Sequence, residues 1–314
     1  MITRRRFLGQ SFGAVAAATV GNAIPAFAAD LGPSYQFPTA ARDRIAVASY
    51  PFRDFIVTSD PSVRSAAGPR IELKDFPAHV AAKFKVNKVE LWTGHFPSTD
   101  AGYLRKFRSA LEQAGAQVVD IAVDGEHSPY SPVAAERVKA VAFSKQWVDV
   151  AAALESPSIR TNIPPAGDAK PDLALTAASL KSVVAYAASK NVVVHLENDN
   201  PVSEDPFFLV KVIERVGSPW LRALPDFANS LATGSEQHAY AGIDAMFGHA
   251  YGICHVKEME VSPAGKAVHV DMQKTFGIMK KHRFKGFCSM EFDSPGDPYA
   301  RTAALIQQTL QYLS

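Results

Sequence analysis

Four ionisable residues in the last hundred or so positions share a pattern. Glu197 stands in Val-His-Leu-Glu-Asn, Asp226 in Leu-Pro-Asp-Phe, His255 in Cys-His-Val-Lys and Glu291 in Ser-Met-Glu-Phe-Asp. They are 29, 29 and 36 residues apart, and each ends a short apolar, β-branched or aromatic run. Three carboxylates brought together in a confined site repel one another and rise in pKa unless a cation compensates them. Three oxygen donors and one imidazole suit a single divalent metal ion, Mn²⁺, Mg²⁺, Co²⁺ or Zn²⁺, with positions left for substrate oxygens. Beside a carbonyl such an ion acts as a Lewis acid and makes a carbon-bound proton removable by a carboxylate. Each residue alone has a plainer reading, a helix cap or a paired interior group. The regular interval is what carries the argument.

That interval must come from the elements that position the four. Strand-like runs cover Ile45–Tyr50, Val86–Trp92, Val118–Val123, Ser158–Asn162, Val192–Glu197, Leu221–Asp226, Gly252–Lys257 and Gly286–Phe292. Stretches with helical apolar spacing lie between them, at Ala134–Leu154, Leu175–Ser189 and Phe207–Val216, and a last helix is predicted to open at Asp297-Pro298. Strands alternating with helices give a parallel sheet with crossovers. Residues 44–292 supply about 31 residues per unit, the size of an eightfold repeat. The predicted fold is therefore α/β, a single-domain (β/α)8 TIM barrel over residues 44–314. The rival open sheet usually carries a glycine-rich turn after its first strand; here that strand runs into Ser49-Tyr50-Pro51-Phe52-Arg53. Long connections follow strands, Asp54–Asp75 above all, which makes that segment a candidate lid over the face where barrel enzymes do their chemistry.

The chain has 314 residues, 47% hydrophobic and 20% charged, an ordinary globular composition. Its start, Thr3-Arg4-Arg5-Arg6-Phe7-Leu8, an alanine-rich apolar run and Ala26-Phe27-Ala28, reads as a twin-arginine-type signal over residues 1–28, followed by a linker at 29–43. The expectation is a periplasmic protein whose partners include the twin-arginine export machinery. Without that segment 30 basic residues face 31 acidic ones, which gives no reason to expect nucleic acid as a partner. Two cysteines, Cys254 and Cys288, exclude a disulfide framework; strand alternation turns them away from the side bearing His255 and Glu291.

Residues 44–314 resemble the xylose-isomerase-like superfamily of sugar phosphate isomerases and epimerases. The motifs are His-Leu-Glu-Asn around Glu197, Asp-Phe-Ala-Asn around Asp226, His-Val-Lys-Glu around His255, Met-Glu-Phe-Asp around Glu291, and Ser49-Tyr50-Pro51-Phe52-Arg53. The resemblance implies one divalent metal ion held by Glu197, Asp226, His255 and Glu291. Three positions depart from the family: Asp199 and Asn229 stand where many relatives have histidine, and Glu258 stands where an aspartate is common. These departures weaken transfer of any particular substrate.

The expected activity is that of a metal-dependent sugar isomerase or epimerase, acting by proton transfer next to a carbonyl through an enediolate. Glu197 and Glu291 would exchange protons, and Lys257, which points the same way as His255, would bind or polarise a substrate oxygen. Arg53, Trp92, His95, Arg160, Asn162 and Asn229 are the candidate substrate-binding residues, with Trp92 as an apolar platform for a sugar face. His195, one layer below Glu197, is read as an orienting or packing group. Export favours a free sugar, keto-sugar or keto-glycoside over a phosphorylated metabolite. The alternative is a lyase or glycoside-cleaving enzyme that eliminates a β-substituent through the same enediolate. An abasic-site endonuclease of the same fold would need more histidines and a basic face, and a non-catalytic sugar-binding protein would not need both Glu197 and Glu291. Relatives often form dimers or tetramers, so the resemblance admits a homo-oligomer.

Overall fold

The computed structural model describes residues 32–57, 70–293 and 296–314. The signal assigned to residues 1–28 and most of the candidate lid lie outside them.

Eight parallel strands form the barrel: β1 (Ile45–Ala48), β2 (Lys88–Trp92), β3 (Gln117–Val123), β4 (Ser158–Thr161), β5 (Val193–Glu197), β6 (Leu221–Leu224), β7 (Ile253–Val256) and β10 (Phe287–Met290). Each lies within two residues of its predicted bounds. The sheet order is β6-β5-β4-β3-β2-β1-β10-β7. Two parallel bridges, Ala223–Ala250 and Asp226–His255, join the outermost strands. The second carries backbone bonds from His255 N to Pro225 O (3.1 Å) and from Phe227 N to His255 O (3.2 Å). Asp226 and His255 thus meet at the seam itself.

Helices α1 (Phe76–Phe84), α2 (Ala101–Ala114), α3 (Ala134–Ala153), α4 (Leu173–Ser189), α5 (Pro206–Val216), α6 (Asn229–Thr233), α7 (Glu236–Phe247), α8 (Met272–Lys281) and α9 (Pro298–Leu313) connect and cover the strands. Their ends follow local chemistry. Asp205 and Asp297 each accept two backbone N–H bonds ahead of a first-turn proline. Gly217 closes α5 in the left-handed region at φ 65°, where a side chain would be strained.

Alternation along the inner wall places the site. On β10 and just beyond it, Phe287, Ser289 and Glu291 share one face; on β7, Ile253, His255 and Lys257 do so. The lowest layer is apolar: Ala46, Val119, Leu224, Ile253 and Phe287 cluster there, with Tyr35 and Phe37 packed against them. Residues 32–37, taken from sequence as linker, therefore lie against the floor of the barrel. Cys254 and Cys288 belong to the layer between sheet and helices, in register on β7 and β10 with sulfurs 3.9 Å apart, and are free thiols. The connection after β7 folds into a short antiparallel hairpin, β8 (Met259–Val261) with β9 (Ala267–His269).

Candidate metal centre and active site

Glu197, Asp226, His255 and Glu291 converge at the C-terminal mouth of the barrel, all buried, each offering an atom within 4.8 Å of the others'. His255 Nδ1 lies 2.7 Å from Glu197 Oε1, 3.7 Å from Glu291 Oε2 and 3.8 Å from Asp226 Oδ2. Its other ring nitrogen, Nε2, is 2.8 Å from Glu90 Oε1. Asp226 is held from behind: its Oδ1 accepts the backbone N–H groups of Ala228 (2.8 Å) and Asn229 (2.7 Å). Asp226 Oδ2 and Glu291 Oε2 have no hydrogen bond of proper geometry, although the Lys257 ammonium stands 3.4 Å from the first and 2.8 Å from the second.

Charges in so dry a place decide one another's protonation. Burial pushes the Asp226 carboxyl up to about 7, aided by Glu197 and Glu291 and opposed by Lys257 and His255. Burial opposes the charge of Glu197 too, but His255, Arg160 and Lys257 outweigh it and hold that carboxyl at about 2. His255 and Lys257 also resist burial. Glu197 and Glu90 raise the imidazole, while Asp226, Glu291 and Glu197 raise the ammonium. Without a metal ion, protons on these two bases supply the positive charge. A buried imidazole with carboxylates on both sides, facing carboxylate oxygens that lack hydrogen bonds, fits a divalent cation in both charge and donor type.

A cavity of about 310 Å³ opens over this group, at the lower end of the roughly 300–1,000 Å³ range of small-molecule sites. Trp92, Arg160, Asn229 and Lys257, four of the positions named from sequence, line it. Arg160 Nε pairs with Glu197 Oε2 at 2.9 Å, and its Nη1 donates to Asp124. Trp92 donates its indole N–H to Asp124 Oδ2 (2.6 Å), so one carboxylate fixes both a guanidinium and the aromatic platform. Asn229 accepts from Lys257 Nζ (2.9 Å) and turns its amide N–H group toward Glu197 (3.4 Å) and Asp199 (3.5 Å).

Three other positions named from sequence lie elsewhere. His95 is fully buried behind Trp92, its Nδ1 3.0 Å from Ser49 Oγ, and burial lowers its pKa to about 3; it supports the platform and does not line the cavity. Asn162 spends both ends of its amide on the backbone of Gly125, at 2.9 and 3.1 Å, outside the cavity wall. Arg53 sits at the rim, paired with Asp293 and stacked 4.6 Å over the Tyr50 ring. His195, read as orienting or packing, is buried, its Nδ1 3.1 Å from Asp120 Oδ1.

Asp124, Asp199, Glu260 and Asp293 also line the cavity. Asp124 follows β3 at the height of the other strand-end acids, a position that spacing along the last four strands alone does not examine. Val261 and Pro263 of the hairpin reach the cavity as well.

A family profile described as xylose isomerase-like TIM barrel matches residues 78–313, three-quarters of the chain. The chain belongs to that family. No curated protein matches it in sequence. Among solved structures, the D-allulose 3-epimerase of Methylomonas sp. in complex with D-allulose superposes at a TM-score of 0.65 and 14% identity, covering 88% of this chain and 99% of that one. The 3-keto-D-glucoside 4-epimerase of E. coli gives 0.59 and 12%, covering 85% and 98%. A xylose isomerase-like TIM barrel protein of Mycobacterium smegmatis in complex with magnesium gives 0.62 and 16%, covering 86% and 96%. At these identities the likeness is one of fold.

Proposed function

We propose that this family member is a metal-dependent sugar isomerase or epimerase that transfers a proton next to a carbonyl. Its substrate is a free sugar, keto-sugar or keto-glycoside. The observation that carries the reading is the buried convergence of Glu197, Asp226, His255 and Glu291 beneath a cavity of sugar size. A divalent cation held by these four would supply Lewis acidity to two adjacent substrate oxygens.

The chain's own residues do the rest. Glu197 and Glu291 rise from β5 and β10, on different sides of the group, so a substrate carbon between them presents one face to each carboxylate. One accepts the carbon-bound proton and the other returns a proton, to the opposite face for epimerisation or to the neighbouring carbon for isomerisation. His255, Arg160 and Lys257 outweigh burial and hold the Glu197 carboxyl well below the usual carboxylate range, so it is ionised near neutral pH and can accept a proton. Lys257 is a charged donor 2.8 Å from Glu291 Oε2, placed to hold the substrate oxygen on which negative charge develops. Trp92, fixed by Asp124, offers an apolar face beside Arg160.

Charge in the cavity supports an uncharged substrate. Arg160 is committed to Glu197 and Asp124, Lys257 to Asp226, Glu291 and Glu260, and Arg53 to Asp293. A phosphate would meet carboxylates and no uncommitted cation among the described lining residues. The D-allulose complex of a structural neighbour supports a sugar of that kind. The twin-arginine-like start supports a periplasmic site for the reaction.

The test is exchange in heavy water. With a divalent cation present, the protein should place deuterium on a carbon adjacent to the carbonyl in at least one member of a panel of free ketoses and 3-keto-glycosides, with mass otherwise conserved. Glu291→Gln should slow that exchange by about 10²- to 10⁴-fold while leaving the fold intact. Release of an aglycone or a dehydrated product, without reversible exchange, would replace this reading with elimination.

A further inference from the structure

We propose that Glu90 is a positioning residue for the metal centre: it accepts the His255 Nε2–H and so turns His255 Nδ1, the nitrogen a bound cation would take, toward Glu197, Asp226 and Glu291. The inference rests on the reading of those four residues as a cation site.

An imidazole binds a cation through one nitrogen only if that nitrogen is free of a proton, and the partner of the second nitrogen decides which tautomer is present. In His255 the two sides differ. Nδ1 faces the other three members of the group, at 2.7 to 3.8 Å. Nε2 faces away, 2.8 Å from Glu90 Oε1. Glu90 belongs to β2, which is separated from β7 by β1 and β10 in the sheet, so the bond spans the barrel interior and does not follow from strand pairing. The pairing of β2 with β3 shifts register between Val89 and Glu90, an irregularity of the kind that re-aims a side chain.

The surroundings of Glu90 point the same way. It is 1% exposed, and no Lys or Arg among the described residues forms an ion pair with it; His255 is the cationic side chain it touches. Its Oε2 has no hydrogen-bond partner. A buried carboxylate in a strand core is costly, and the one contact that offsets the cost is to a candidate ligand. A carboxylate in this position also makes the imidazole a stronger donor toward a cation. Glu90 lines the cavity floor, yet it lies on the side of His255 opposite the group of four and cannot complete that group itself.

The experiment uses the full chain and Zn²⁺, which is diamagnetic. Affinity is measured by competition with a chelator, and the imidazole by proton–nitrogen correlation spectra of the Zn²⁺-loaded protein labelled at histidine nitrogen. Wild type should show one histidine with Nδ1 metallated and a strongly downfield Nε2–H proton. Glu90→Ala should weaken Zn²⁺ binding about 10- to 100-fold and abolish that resonance through solvent exchange. Glu90→Gln, which keeps the shape and a neutral acceptor, should weaken binding less and move the resonance upfield. Wild-type affinity in Glu90→Ala, or an unmoved resonance in Glu90→Gln, would overturn the role of Glu90. Absence of Zn²⁺ binding by wild type would instead overturn the cation site itself, so the two failures are separable.

Discussion

The charges at the barrel mouth behave as one network. Burial holds Asp226 up to about 7, whereas His255, Arg160 and Lys257 hold Glu197 at about 2 against its own burial. A cation must displace the proton from Asp226 and the one that His255 keeps on Nδ1, so its affinity should climb as pH rises from 5.5 to 7.5. Stability has the opposite slope without the cation. The folded pKa of Asp226 exceeds its unfolded value, so its contribution is fully present below about 4 and is lost as pH rises through about 7. The thermal midpoint of chelator-treated protein should therefore fall across that interval, and added Mn²⁺ should restore more at pH 7.5 than at 5.5; scanning calorimetry at the two pH values measures both. A pH-independent effect of Mn²⁺ would contradict the assignment. Among single residues, Glu197, Asp226, His255 and Glu291 were legible because about one repeat length separates them and each ends a strand. The pairings of Glu90 and Asp124 were not, because the fold alone makes them: Glu90 meets His255 across the barrel interior, and Asp124, just after β3, gathers Trp92 and Arg160 from the flanking strands β2 and β4.

Strands and helix caps were legible for a different reason: their signals are local. A buried parallel strand needs a short run of β-branched residues, and Asp297-Pro298 starts a helix with groups it carries itself. The β8–β9 hairpin escaped because three-residue strands carry no usable alternation; Met259–Val261 is given its place by pairing with Ala267–His269 and by Glu260 near Lys257. Backbone crowding is also invisible along the chain. A Cβ on Gly286 would come within 2.4 Å of the Gly252 carbonyl oxygen and 2.5 Å of the Phe284 ring, where β10 begins beside β7. Gly286→Ala should cost about 1–3 kcal/mol of stability through overpacking, read from urea unfolding. Because β7 and β10 carry His255 and Glu291, it should weaken cation binding as well. An alanine variant as stable as wild type would show that this close approach does not matter.

For the whole molecule, the two ends of the barrel divide the work. The C-terminal end gathers charge that requires a counterion; the N-terminal end is closed by aromatic packing. Phe37 lies with its ring 5.0 Å from Tyr35, 5.2 Å from Tyr251 and 5.7 Å from Phe287, and Tyr251 O–H donates to the Pro33 carbonyl (3.1 Å). Phe37 is only partly buried, so Phe37→Ala should destabilise by about 1–2 kcal/mol, less than a core phenylalanine would. Since it touches the floor alone, it should leave cation affinity unchanged; a loss of both would mean that the two ends are coupled. Stability from the mouth, by contrast, depends on the ligand: a cation at a hundred times its dissociation constant adds about 2.7 kcal/mol. The measurement that tests the centre most directly is a calorimetric titration of chelator-treated full-length protein with Mn²⁺ at pH 7.5, alongside Asp226→Asn. Wild type should bind one equivalent per chain and Asp226→Asn should bind at least tenfold more weakly. A wild-type chain that binds none, or an Asn variant that binds equally well, would contradict the account.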